Sequence, residues 1–388
     1  MFFIKFIHID RFFAKNINME KHIKNKNILL LYLFILMCSL IFSNELAFIN
    51  DTGSHLYADE LPSTKYYNCY KYTGNIPHFF THEMVTNPEI AYNSNNVLKK
   101  HFDKDCITSK EFLNFLTQLH SKNYCLIDIY DLIGFKNDKP YLKDVYVPFT
   151  KKPFLLSFDD MSYDSKNMGL SDKIIVSEDK IASYTSKKQN QIEYDTESIS
   201  ILENFIKEHP DFSYNNARAI ICPTGYNGLL GYRITSNEID NEKDLQDLKI
   251  VVDKLKSLNY HFACHTYNHI NVKTISCEGL YNDLKLYKEK ILPIIGDTNI
   301  FCFPCGNYIN NGYKMKILKE CGYQIFLCVG LPQDIKTYSD TIFLSRKTLD
   351  GNSLRNFHNI YSPYFDTYEM YDNESRYIKL TKSKTKDK

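Results

Sequence analysis

The sequence predicts an α/β protein built on a parallel sheet, closed as a barrel or open. Short apolar runs alternate with helical-period segments over about 250 residues from residue 106 onward, the signature of repeated strand–helix units. At 388 residues and 44% hydrophobic, the chain can bury a substantial core. Residues able to do chemistry also recur just past the ends of apolar runs, which is where parallel sheets collect functional groups.

Taken in order, Thr108 and Glu111 form a capping-box signature, and Phe112, Phe115, Leu116 and Leu119 follow at helical spacing. "YCLIDIYDLI" reads as a strand and a turn, and "PFLLSF", from Pro153, as a buried strand. "SISILENFIKE" is a helix stopped by His209-Pro210, and "ARAIICP" a strand. Leu245, Leu248, Val251, Val252, Leu255 and Leu258 mark an amphipathic helix. "YHFAC" is a strand, "LYNDLKLYKEKILPII" one helix, and "IFCFP" a strand. "GYKMKILKECG" is a helix with Gly322 as its stop, and "YQIFLCV" and "TIFLS" are the last strands. An insertion over 163–194 reads as a β-hairpin on one loop.

The ends are of a different character. Lys21, Lys24 and Lys26 precede the apolar run "ILLLYLFILMCSLIF" (Ile28 to Phe42), which is short for a span of about 20 residues and suits a secretory signal. Residues 1–43 are therefore a signal peptide cleaved after Ser43 or Ala47, or else an uncleaved membrane anchor. Either puts the body outside the cytoplasmic membrane, extracellular or at the cell surface. Residues 44–75 read as a linker, 76–360 as the catalytic domain and 361–388 as a polar tail, frayed beyond Asp372. A net charge of +1 gives no case for nucleic acid. The 30 Tyr and 26 Phe, with no Trp, look like AT-biased coding. A monomer is expected. Cys222, Cys264, Cys302 and Cys328 lie in apolar runs and read as free buried thiols. A zinc site from Cys302, Cys305, Cys321 and Cys328 is disfavoured by its apolar flanks.

Two stretches carry the chemistry. "PFLLSFDDMSYD" ends a buried strand on Asp159 and Asp160, whose charges repel. A surface turn or helix cap would explain such a pair blandly. After the strand "YHFAC", "HTYNHIN" sets His265 and His269 four apart, close enough to face one cation, although histidines are often only satisfied polar groups. Parallel strands bring such ends together. Two His and one carboxylate make an open three-ligand site for a divalent metal, and the cation accounts for the doublet: one Asp binds it, the other stays ionised as a base. "HEMVT", His82 to Thr86, opens like a zinc-protease helix but lacks the second His.

In this order the stretches resemble the motifs of the polysaccharide deacetylases, carbohydrate esterase family four. "SFDDM" stands for T-F-D-D-G, "HTYNH" for H-[ST]-x-x-H, and "CFPCG", Cys302 to Gly306, for R-x-P-x-G. The likeness runs from Pro77 to Gly351 and is nearest to divergent exported members with a long insertion between the first two motifs. It implies a distorted, incomplete (β/α) barrel. It implies hydrolysis of N-acetyl groups on an N-acetylhexosamine polysaccharide, with Asp159 as general base. Asp160, His265 and His269 would hold one divalent metal, zinc first, with cobalt or nickel as alternatives. A backbone N–H after the first motif would help to stabilise the oxyanion.

Departures accompany the match: Met161 replaces the motif glycine and Cys302 the motif arginine. Arg346, in "FLSRKTLDG", is the candidate to supply the missing charge. His358 in "RNFHNIY" and His82 are candidates for the general acid. Pro304 and Gly306 of the third motif, His82, and Tyr226 and Tyr232 of "GYNGLLGYR" are candidates for sugar binding. The rival readings are a catalytically impaired glycan-binding protein and an amidohydrolase for a small molecule.

Overall fold

The computed structural model describes residues 68–163, 168–186, 188, 191–233 and 242–381; the segment read as signal or anchor lies outside the described residues. Eight parallel strands carry the fold: β1 (His78–Thr81), β2 (Tyr124–Leu126), β3 (Lys152–Asp160), β4 (Ile220–Pro223), β5 (His261–Phe262), β6 (Ile300–Cys302), β7 (Ile325–Cys328) and β8 (Ile342–Thr348). Around the barrel they run β1-β3-β4-β5-β6-β7-β8, with β8 returning to β1 and β2 pairing with the first residues of β3. The seam between β5 and β6 is thin. One bridge, Cys264 to Phe301, closes it, with Cys264 N donating to Ile300 O at 2.9 Å and Cys302 N to Cys264 O at 2.8 Å. The result is the distorted, nearly closed (β/α) barrel that the motifs imply.

β3 is central and buried along its length from Pro153 to Asp159, as a strand covered on both faces must be. Its two-residue period separates two cores. Leu155 packs inside the barrel with Ile220, Cys222, Ile300, Cys302, Ile325, Leu327, Ile342 and Leu344. Phe154, Leu156 and Phe158 face the surrounding helices. Continuing the alternation turns Ser157 and Asp159 inward, and the strand ends on Asp160 at the rim.

The longest helices among the described residues are α1 (Ser109–Ser121), α2 (Ser198–Glu208), α3 (Glu242–Ser257), α4 (Cys277–Lys290) and α5 (Gly312–Glu320). α1 has the capping box read from sequence: Thr108 N donates to Glu111 Oε2 at 2.8 Å, and Glu111 N to Thr108 Oγ1 at 3.2 Å. The single helix expected over Leu280–Ile295 is instead two, α4 and a short turn Leu292–Ile295, because Pro293 cannot continue the first and serves to start the second. In the 163–194 insertion, Lys173–Ser177 pairs antiparallel with Lys180–Tyr184, and Ile192–Glu193 adds a third strand.

The tail expected to fray beyond Asp372 is anchored. Arg376 is buried, its guanidinium donating to Glu111 Oε1 at 2.9 Å, to Glu111 Oε2 at 2.5 Å and to the carbonyl of Asp103 at 2.7 Å. Glu111 thus caps α1 and neutralises a buried cation together, a double use invisible in local sequence. The cysteines of the disfavoured zinc site do not converge: Cys302 and Cys328 are buried, Cys305 and Cys321 exposed. No helix among the described residues is long and apolar enough to cross a membrane.

Candidate active site

Because the strands are parallel, their carboxyl ends share one rim, and three loops meet there: the one after β3, the one after β5 and the one after β6. Asp160 Oδ1 lies 3.5 Å from His265 Nε2 and 3.5 Å from His269 Nε2. The ligand atoms of these three residues all fall within 4.8 Å of one another. His265 Nδ1 donates to the carbonyl of Cys302 at 3.0 Å, which turns Nε2 toward Asp160; burial lowers the ring's pKa, but Cys302, Asp159 and Asp160 outweigh it and raise it to about 10, so an ion would take the place of the Nε2 proton. Burial lowers the pKa of His269, which favours the neutral, ligating form. An N,N,O donor set with one ring fixed from behind and a partly exposed carboxylate fits a divalent ion such as zinc.

Asp159 has different surroundings. It is buried, and Arg346 grips it with both nitrogens, Nη1 to Oδ1 at 2.6 Å and Nη2 to Oδ2 at 2.8 Å. Burial alone would raise the carboxyl pKa, but the guanidinium and the nearby His265 hold it well below the usual range. Arg346 comes from β8, opposite His78 of β1, and its guanidinium lies 4.0 Å from the Phe80 ring centroid. It supplies the charge that the third motif lacks. Cys302, in the motif arginine's place, points its thiol at Asp159, 3.6 Å from Oδ2. A second grouping, Asp159 with His265 and Cys302, also has ligand atoms within 4.8 Å of one another. There both carboxylate oxygens are already taken by Arg346, so Asp160 is the carboxylate left for a metal.

Behind Arg346 lies a relay that sequence reading missed. Arg346 Nη1 donates to Ser157 Oγ at 3.1 Å, and Ser157 Oγ lies 3.0 Å from His78 Nε2. Burial, then the Arg346 charge, push the His78 pKa well down, so the ring is neutral and accepts the serine proton. The period-2 alternation of "FLLSFDD" could have placed Ser157 beside Asp159. Nothing local marks His78.

The three loops carry backbone strain. Asp160 (φ 67°), Met161 (φ 44°), Tyr163 (φ 53°), Thr266 (φ 60°), His269 (φ 50°) and Cys305 (φ 58°) all sit in the left-handed region without being glycine. Each such residue costs of order 1–3 kcal/mol and persists only where its surroundings dictate it. Here Glu83 accepts from Ser162 N at 2.7 Å and Tyr163 N at 2.5 Å. Arg233 donates to the carbonyls of Ser162, Tyr163 and Asn227. Asp283 accepts from Tyr267 N at 2.7 Å and Asn268 N at 2.9 Å, fixing the histidine loop. Met161, in the glycine's place, offsets its strain by burying its side chain completely. Glu83 belongs to "HEMVT", whose glutamate is a loop clamp. This clamp also overturns the expected oxyanion donor after the first motif: Met161 N is bonded to Asp159 O, and the next two N–H groups to Glu83.

Other expected residues divide. His82 follows β1 at the same rim. Its Nδ1 lies 3.0 Å from the carbonyl of Asp105, leaving Nε2 free of that bond, and its charge would act on both Asp159 and His269. His358 does not join the site. The helix Gly351–Asn356 carries it to Thr367, which it hydrogen-bonds, and to Tyr368, on which it stacks at 4.3 Å. Tyr226 is 48% exposed on its loop, whereas Tyr232 is 2% exposed and covered by Lys173, so it offers no face to a sugar. Pro304 is buried, and Gly306 takes φ 67° where a Cβ would come within 3.1 Å of Val329.

The family model for polysaccharide deacetylase matches residues 231–326, a stretch that holds both histidines and the third motif. Residues 231–326 thus match a polysaccharide deacetylase domain. That class is one of hydrolases acting on carbon–nitrogen bonds other than peptide bonds, and glycan deacetylation is the activity the match supports. Among solved structures, the chain is similar to Streptococcus pyogenes deacetylase PplD in complex with acetate, at 16% identity and TM-score 0.41, covering 75% of this chain and 98% of that one. A de-N-acetylase from Aggregatibacter actinomycetemcomitans gives 15% and 0.41, over 71% and 95%. IcaB from Ammonifex degensii gives 14% and 0.39, over 72% and 93%. Overlays at these scores leave the chemistry to be argued from this chain's own residues. No curated protein sequence matches the chain.

Proposed function

We propose that this protein removes N-acetyl groups from an N-acetylhexosamine polymer of a cell envelope or matrix, using one divalent ion held by Asp160, His265 and His269. The observation that carries the proposal is the convergence of those three side chains beside an Asp159 kept ionised by Arg346. Zinc suits the donor set, with cobalt or nickel as alternatives. When bound, such an ion acts as a Lewis acid on the acetyl carbonyl and lowers the pKa of a water molecule.

The remaining work falls to the chain. Asp159 accepts the proton of the attacking water, and the Arg346 fork fixes both its charge and its orientation. His82, at the rim with its Nδ1 tied back, is the group that protonates the departing amine. Tyr226 offers an exposed ring for a sugar to stack on. The missing motif arginine and the unassigned acid favoured an impaired glycan-binding protein; the Arg346–Asp159 pair supports the enzyme reading instead. The reading includes export of a monomeric body to the cell surface or beyond.

Metal content and acetate release test it together. The protein as purified should hold a single divalent ion and release acetate from chitin oligomers, peptidoglycan fragments or poly-N-acetylglucosamine. His265→Ala should lose both, and Asp159→Asn should keep the ion and lose turnover. Full activity of Asp159→Asn would refute the base. A best substrate of only one sugar would favour the small-molecule reading instead.

A further inference from the structure

The end of the barrel opposite the site, where the strands begin, is built differently from the rest of the surface. Here the hairpin Ile133–Lys136 and Lys139–Leu142 lies under the strand starts, with Gln324 Nε2 donating to the carbonyl of Asp138 at 2.6 Å just ahead of β7. Beside it, Tyr130 OH donates to Asn299 Oδ1 at 2.8 Å just ahead of β6. The pair Cys69–Lys71 and Tyr146–Pro148 completes this end, packing Tyr70, Val145 and Val147 with the first residues of β4, β6, β7 and β8.

Four large apolar side chains nevertheless point outward: Phe135 (38% exposed), Leu142 (40%), Tyr141 (46%) and Phe149 (62%). Lys136 and Lys139 flank them, and neither has an acidic partner among the described residues. With Asn137, Pro140 and Tyr141 they line a hollow of about 500 Å³. Lys143 is also exposed, its Nζ donating to the carbonyl of Tyr130 at 2.7 Å. Of the nearby acids, Asp144 is paired with Lys71 at 2.8 Å, and Asp138 opposes the lysines on the turn.

We propose that this end is a membrane-contacting surface that seats on an anionic bilayer. Aromatic and leucine side chains alternating with lysines suit the headgroup boundary: the rings enter it and the ammonium groups meet lipid phosphates. The path of the chain points the same way. Near the start of the described chain, the carbonyl of Asn68 accepts from Phe149 N at 3.2 Å, and Tyr70 stacks on Phe149 with centroids 6.0 Å apart. The residues before Asn68 include the apolar run Ile28 to Phe42. So the chain joins the body at the edge of this patch, and the catalytic rim opens on the far side, away from a bilayer and toward a surrounding polymer. Its orientation rests on the proposed deacetylase reading, but the patch shares no residue with that site, so vesicle binding and acetate release can each fail without the other.

The chain has no tryptophan, so one introduced residue reports on one place. In the full-length protein, Phe135→Trp emission should shift to the blue on mixing with vesicles of phosphatidylglycerol and phosphatidylcholine in equal parts, and brominated lipid should quench it. Tyr313→Trp, on α5 and 82% exposed, should show neither effect. Adding Lys136→Gln and Lys139→Gln to Phe135→Trp should raise the lipid needed for half the shift by about fivefold per lysine. An unchanged unfolding midpoint shows that the variants are folded. No shift with folded Phe135→Trp, equal shifts at both reporters, or a shift produced by glycerol phosphate alone would each overturn the proposal.

Discussion

Asp159 and Asp160 are adjacent and have opposite environments. One is buried and gripped by Arg346; the other is partly exposed and faces two imidazoles. That split is what the proposed roles of base and ligand require of the doublet. Replacing Arg346 by Met leaves a buried carboxylate unpaired, and urea unfolding should show a loss of about 3–5 kcal/mol. Arg346→Lys should recover part of that stability and little turnover, since an ammonium cannot reproduce the two-pronged grip. For the acid, His82→Gln should cut turnover by about 10²–10⁴ with the ion retained. His358→Gln should not, and the reverse result would move the acid to the C-terminal helices. The doublet and the H-x-x-x-H were legible because they are local and their chemistry is unusual beside apolar strands. Arg346 was legible only as a spare charge, since its partner lies 187 positions away. His358 and Tyr232 misled because burial and direction are set by tertiary packing that a short window does not contain.

At the scale of elements, α2 offers a pH signature. Glu197 precedes it, its carboxylate accepting from Ser198 N at 3.0 Å, yet burial outweighs that bond and pushes its pKa from 4.5 to about 7. The folded state then binds a proton that the unfolded chain releases at lower pH. This contribution is fully present below pH 4.5 and is lost as pH rises toward 7, by about 3 kcal/mol. Unfolding wild type and Glu197→Gln across that interval should show the wild type losing stability relative to the variant as pH rises. Parallel curves would place the carboxyl's pKa near its ordinary value. The elements themselves were largely readable. The helices at 109–121 and 198–208 follow from caps and apolar spacing, and the strands from short apolar runs. The break at Ile291 was missed because the apolar "ILPII" continues the helical pattern across a proline that ends it. The clamp residues Glu83 and Arg233 were missed because each acts on backbone groups, which no side-chain pattern announces.

For the whole molecule, alternation of strands and helices foretold a parallel sheet but could not decide between open and closed, because closure rests on the single bridge between Cys264 and Phe301. The proposed metal ligands lie close to that seam, His265 and His269 just after β5. A bound ion should therefore stabilise the entire barrel, by about 2.7 kcal/mol at a hundredfold excess over its Kd. Asp160→Ala should abolish the gain, read as the shift in thermal unfolding on adding zinc.

The most direct test of the metal-dependent site is acetate release from an N-acetylglucosamine oligomer while a divalent ion is titrated back into chelator-stripped protein. Activity should be absent at the start, rise in proportion to added ion and level off at a single equivalent per chain, with Asp160→Ala inert throughout. Full activity in the stripped protein, or the same recovery in Asp160→Ala, would contradict the account.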